Sequence, residues 1–178
     1  MARQRKGVAY RALERPYTRI SKFNKKQFTR GNPHINISQF EMGNKTKKFP
    51  FCVDLIAEDN LQIRHTSMES ARQASNRYLE KNLGKEGYHF KFKIYPHHIL
   101  RENPLASGAG ADRMSTGMKK SFGKTIGKAA QVKKGKQIIC IGVEEKHTKV
   151  AKRAMTLAKN KLACKYSIKV YPNPLFKK

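Results

Sequence analysis

Apolar positions recur along the chain with two periods, and they mark out its elements. Residues 51–57, FCVDLIA, are apolar around a single charge, and residues 61–65 follow after Glu58-Asp59-Asn60. The two runs predict strands joined by a turn into a β-hairpin. Thr66-Ser67-Met68-Glu69 has the composition of a capping box, in which a hydroxyl and a carboxylate satisfy orphan amides reciprocally, so a helix is expected to begin at Thr66. Met68, Ala71, Ser75, Tyr78 and Leu79 fall on one narrow face of that helix, and Gly84 and Gly87 end it. Residues 88–96, YHFKFKIYP, then alternate, with Tyr88, Phe90, Phe92 and Ile94 on one face and His89, Lys91 and Lys93 on the other.

The same order returns further on. Residues 137–143, QIICIGV, predict a strand. Residues 147–163 predict a helix with Val150, Ala151, Ala154, Leu157 and Ala158 inward and Lys149, Lys152, Arg153 and Lys159 elsewhere. Residues 166–172, YSIKVYP, form a last alternating strand. Two strand–helix–strand units, each closing on Tyr-Pro, predict an α+β fold with antiparallel helices on one face of a mixed sheet. Upstream, Ile35 and Ile37 alternate with Asn36 and Ser38, which suggests a first strand ending in a turn at Gly43-Asn44. Pro16 and Pro33 interrupt regular structure. The expected organisation is a basic N-terminal extension, 1–33, and one globular domain, 34–178.

Residues 97–136 separate the two units and show neither period. They hold six glycines and nine Lys/Arg against Glu102 and Asp112. Loops of this length without structure of their own are uncommon in compact domains and are either functional or disordered linkers. This one, basic and poor in apolar residues, is expected to be mobile in the absence of a partner.

Charge changes the picture most. The 178 residues carry a formal net charge of +27, and residues 51–96 contribute almost none of it, with seven basic and six acidic side chains. A field of this size attracts polyanions. In the first thirty residues Arg3, Arg5, Arg11, Arg15, Arg19, Lys22 and Arg30 are interleaved with Tyr10, Tyr17, Phe23 and Phe28. The cations suit phosphates, while the rings either stack on unpaired bases or tuck into the core. In the loop, Arg101 and Arg113 can fork onto phosphates or stack on bases, and Lys119, Lys120, Lys124 and Lys128 act as point charges. Asn103 can read a base edge or a 2′-hydroxyl.

Other chemistries fit poorly. Gly123-Lys124-Thr125 ends like a phosphate-binding loop, but Met118 stands where its first glycine belongs. Gly108-Ala109-Gly110 opens a dinucleotide fingerprint in which Arg113 replaces the third glycine. Neighbouring His97 and His98 point to opposite faces of an extended segment, which favours a structural role, although an RNA-processing or RNA-modifying enzyme using them is the alternative reading. Cys52, Cys140 and Cys164 have no metal or disulfide spacing and are expected as reduced core residues. No cofactor or metal is implied. No apolar run approaches the roughly 20 residues of a membrane span, and the N-terminus lacks a secretory h-region, so a cytoplasmic location is expected.

The loop also carries a family resemblance. Residues 96–124, PHHILRENPLASGAGADRMSTGMKKSFGK, resemble the signature loop of the L-ten-e family of large-subunit ribosomal proteins, the archaeal and eukaryotic counterpart of bacterial L-sixteen. Gly108-Ala109-Gly110-Ala111-Asp112-Arg113, Thr116-Gly117-Met118 and Phe122-Gly123-Lys124 are its specific motifs. Arg15-Pro16-Tyr17-Thr18-Arg19, Arg30-Gly31 with Pro33, and Phe40-Glu41-Met42-Gly43 extend the match. Glu41, where the family often has Asp, and Asn32, where a hydrophobic residue is usual, depart from it. The spelling looks archaeal. The resemblance implies an α/β-hammerhead domain on 23S-type rRNA, near 5S rRNA at the central protuberance, monomeric within the ribosome beside neighbouring ribosomal proteins. It implies a loop directed toward the peptidyl transferase region and the acceptor arms of tRNA, with roles in aminoacyl-tRNA positioning and subunit maturation. Arg101, Asn103, Arg113, Lys119, Lys120 and Lys124 carry over as loop contacts.

Overall fold

A computed structural model describes residues 5–18, 23–26, 29, 31–103, 108–110, 113 and 122–173. The fold is α+β. Strands β1 (Glu41–Gly43), β2 (Phe51–Ala57), β4 (Tyr88–Phe92), β7 (Gln137–Val143) and β8 (Tyr166–Pro172) form one sheet in the order β1-β4-β7-β2-β8. Strands β3 (Leu61–Arg64), β5 (His98–Glu102) and β6 (Lys124–Val132) form a second in the order β3-β6-β5. Every pairing is antiparallel, so the expected mixed sheet is corrected. Helices α1 (His65–Leu83) and α2 (Thr148–Lys159) pack against each other. α2 lies over β2, β7 and β8, and α1 touches β4, β3 and β6, bridging the two sheets. Val53, Leu55, Phe90, Ile139 and Ile141 from one sheet and Leu61, Ile63 and Val132 from the other share a single core with Met68, Leu79, Ala154 and Met155.

The predicted hairpin does not form. β2 and β3 belong to different sheets, and the Glu58–Asn60 turn hands the chain from one to the other. β2 instead pairs with β7 and β8, whose apolar faces complete the core. The expected strand at 35–38 is also absent, although its alternation is real. Ile37 is buried and Ile35 packs on the core. The amides of the two outward-facing residues bond to α1, Asn36 N–H to His65 Nδ1 (3.1 Å) and Ser38 N–H to a Glu69 oxygen (3.3 Å). Burial therefore alternates without a ladder. The turn after β1 does form, with the Asn44 side-chain oxygen accepting from the N–H groups of Thr46 and Lys47.

Glu69 has no capping role, because α1 starts earlier than expected, with Arg64 as its N-cap and no side-chain cap. Its carboxylate is held by the Arg72 guanidinium at 2.7 Å instead. The helix ends as expected at Gly84, with φ +68 and an N–H donated to Glu80 O. α2 is shorter than predicted, and its inward stripe is rotated. Met155 is fully buried with Ala151, Ala154 and Ala158, while Leu157 is half-exposed. Cys52 is buried, and Cys140 and Cys164 are half-buried free thiols. No described helix is long and apolar enough to cross a membrane.

Candidate nucleic-acid interface

Residues 97–136 are not structureless: β5 and β6 occupy the two ends and pair through Arg101 with Thr125 and Glu102 with Lys124. The connection between them is 103–123. Among its described residues the backbone is tightest at the root, where a Cβ on Gly123 would meet the Glu102 carbonyl carbon at 2.5 Å and Asn103 N at 2.8 Å. Only glycine fits there.

The basic N-terminal segment is the second part of the site. Residues 10–17 cross the three-stranded sheet and replace part of its solvent. Gln62 N–H donates to Arg11 O (2.9 Å), Ile99 N–H to Tyr17 O (3.0 Å), and the Gln131 amide to Glu14 O (2.8 Å). Tyr17 N–H donates to His98 Nδ1 at 2.9 Å. The His98 ring is buried, burial pushes its pKa down, and as an acceptor at Nδ1 it is fixed in a structural role. His97, next to it, is exposed. Tyr10 is buried against Leu100 and Ala129, and its hydroxyl donates to Glu102 at 2.7 Å. Burial, then this carboxylate, raises the Tyr10 pKa. The other Glu102 oxygen takes the Arg5 guanidinium at 3.0 Å. Glu102, the one acidic residue on β5, therefore ties the N-terminal segment to the root of the loop.

Above this junction Arg101 lies over two aromatic rings. Its guanidinium carbon lies 4.1 Å from the Tyr17 ring centroid and 3.8 Å from that of Phe122. The two rings are 6.2 Å apart and steeply inclined. Phe122 is 68% exposed, so its ring remains accessible beside the Arg101 guanidinium. Arg101, Asn103, Phe122 and Gly123 line one opening, and Arg5, Glu14 and Arg15 line a larger adjoining cleft of about 700 Å³. The arrangement offers accessible π surface, an orientable amide and fixed positive charge, a chemistry suited to unpaired nucleotides.

The structure brings Arg5, Arg15, Tyr17, Arg101 and Asn103 together here, with Lys124 opposite Glu102 on β6. Arg11 is exposed on the same segment. Arg113 is exposed farther along the connection, its N–H donating to Gly110 O. Lys128 shares the core-side face of β6 with Ala130 and is only 9% exposed, so it adds to the field rather than offering an open contact. Arg3, Arg19, Lys22, Arg30, Lys119 and Lys120 lie outside the described residues. Phe122 and Glu102 were not among the expected site residues. The sequence signal for Phe122 is an aromatic between Ser121 and Gly123 in a stretch otherwise short of apolar residues.

Comparison with known proteins gives the family of the chain. The family described as Ribosomal protein L16p/L10e matches residues 17–169. A protein of Archaeoglobus fulgidus named large ribosomal subunit protein uL16 is 42% identical over 153 residues, covering 86% of this chain and 84% of that protein. Proteins of the same name from Methanocella arvoryzae (43% over 148 residues; 83% and 86%) and Methanococcus maripaludis (45% over 159 residues; 88% of each) are similarly close. With the family matched across most of the sequence and both sheets, the chain belongs to the L16p/L10e family of ribosomal proteins.

Proposed function

We propose that this chain is a structural, RNA-binding constituent of the large ribosomal subunit in the cytoplasm. The observation that carries the reading is Arg101, held between Tyr17 and Phe122 at the root of a basic connection. In this reading the α/β-hammerhead domain, 34–178, sits on 23S-type rRNA near 5S rRNA at the central protuberance, and the extension 1–33 follows the RNA backbone. The connection within 97–136 reaches toward the peptidyl transferase region and the acceptor arms of tRNA, supporting aminoacyl-tRNA positioning and subunit maturation. The contact set is Arg11, Arg15, Tyr17, Arg101, Asn103, Arg113 and Lys124, together with the basic residues outside the described segments. The buried His98, whose Nδ1 accepts from the Tyr17 amide, supports binding rather than turnover.

The test separates stacking from charge. Arg101→Lys keeps the charge but loses the planar guanidinium that lies over the two rings. Affinity for large-subunit rRNA is expected to fall for Arg101→Lys nearly as far as for Arg101→Ala, by about 1–2 kcal/mol. Equal affinity of Arg101→Lys and wild type would contradict it.

A further inference from the structure

A second aromatic assembly lies away from the Arg101 stack, on the segment between β4 and β5. Burial there alternates residue by residue: Lys93, Tyr95 and His97 are exposed, and Ile94, Pro96 and His98 are buried. The segment thus presents a cation, a ring and an imidazole in a row on one face. The rings form a ladder rising out of the core. Phe90, fully buried, meets Phe92 edge-on at 5.3 Å, and Phe92 meets Phe40 edge-on at 6.2 Å. Phe40 stacks on Tyr95 at 5.0 Å with planes 23° apart, and Tyr95 meets His97 at 4.6 Å. The backbone fixes the same junction, with Phe92 N–H on Phe40 O (2.9 Å) and Lys93 N–H on Ile138 O (2.8 Å). Tyr95 is nonetheless 45% exposed.

We propose that this ladder is a second nucleotide-binding site, at which one unpaired RNA base stacks on Tyr95 and His97 while Lys93 and Lys136 hold the flanking phosphates. Phe40, Lys93, Tyr95, His97 and Lys136 line a common cleft of about 490 Å³, and among the described residues its lining has no acidic side chain. An apolar partner would leave Lys93 and Lys136 facing uncharged surface, whereas a nucleotide satisfies ring and cations together. The outer rings are set by packing that starts in the core, so stacking on them requires little further ordering. The proposal rests on the RNA-binding reading for its ligand class but not on the Arg101 stack.

The test uses the full chain and a short single-stranded RNA, compared with the same oligomer carrying one abasic nucleotide. The ratio of their affinities isolates the base, because the phosphate charge is equal. Tyr95→Ala is expected to lower this ratio roughly five-fold or more, whereas Tyr95→Phe, which keeps the ring, retains it. Replacing Lys93 and Lys136 by Gln is expected to weaken both oligomers alike. A 4-thiouridine crosslink should map to the peptide containing Tyr95 and His97. A ratio unchanged by Tyr95→Ala, with circular dichroism confirming the fold, overturns the proposal and leaves a protein neighbour as the occupant. An Arg101→Ala arm reports separately, so failure of the first site is distinguishable from failure of the second.

Discussion

At the scale of single residues, stability and the proposed contact meet at the root of the loop. Gly123→Ala places a methyl against the Glu102 and Asn103 backbone, which cannot yield as a side chain can. Overpacking of this kind costs about 1–3 kcal/mol. Urea denaturation should show that loss, and RNA affinity should fall with it as β5 and β6 part. Glu69 supports a second residue-scale prediction, this one about pH. The Arg72 guanidinium, helped by Gln73 and the Ser38 N–H, holds its carboxyl down from an ordinary 4.5 to about 2. The stabilisation is complete above pH 4.5 and is lost as pH falls from there toward 2, being on the order of 2 kcal/mol at neutrality. Stability measured against pH should therefore show wild type and Glu69→Gln converging over that window; a constant gap would contradict the assignment. The sequence marked Arg101 and Asn103 as candidate contacts, as polar residues at the edge of a glycine-rich stretch. The pairing of Arg101 with Tyr17 was hidden, since nothing local links an N-terminal tyrosine to β5.

Among elements, the N-terminal segment acts as a fourth layer for the small sheet. Tyr10 supplies its apolar cover, and Arg11, Glu14 and Tyr17 supply backbone oxygens to Gln62, Gln131 and Ile99. Glu102→Ala removes the acceptor for both Arg5 and Tyr10, leaving a buried hydroxyl without its partner. Hydrogen exchange at Ile99 and Gln62 N–H should accelerate at least ten-fold, while that of β7 stays as in wild type. Unchanged exchange at Ile99 would mean the segment is held without Glu102. Element-level legibility followed periodicity. β7 and β8 have the bounds that the apolar patterns predict, because each fills a well-defined face of the core. The β2–β3 hairpin failed because alternation specifies which face is buried, not which strand lies alongside. The strands within 97–136 were missed because β6 is interrupted by Gly127 and polar residues and draws its burial from the N-terminal segment and α1.

For the whole molecule, the charge partition is the organising fact. Residues 51–96, nearly neutral, supply β2, β3, α1 and β4, the scaffold on which both sheets meet. The excess sits in the N-terminal segment, the 97–136 region and the C-terminal third, whose helix exposes Lys149, Lys152 and Arg153. Composition alone made the polyanion partner legible; the family motifs narrowed it to the ribosome. A protein that neutralises many phosphates releases as many counterions, so its binding must weaken steeply with salt.

The most direct measurement is sedimentation of the full chain with purified large ribosomal subunits that lack their own copy of this protein, across a salt series. At low salt the chain should co-sediment at about one copy per subunit, with affinity falling about a thousand-fold or more between 50 and 200 mM salt. Competing duplex DNA should not displace it. A chain that stays off the subunits at low salt, or binds them no better than duplex DNA, would contradict the account.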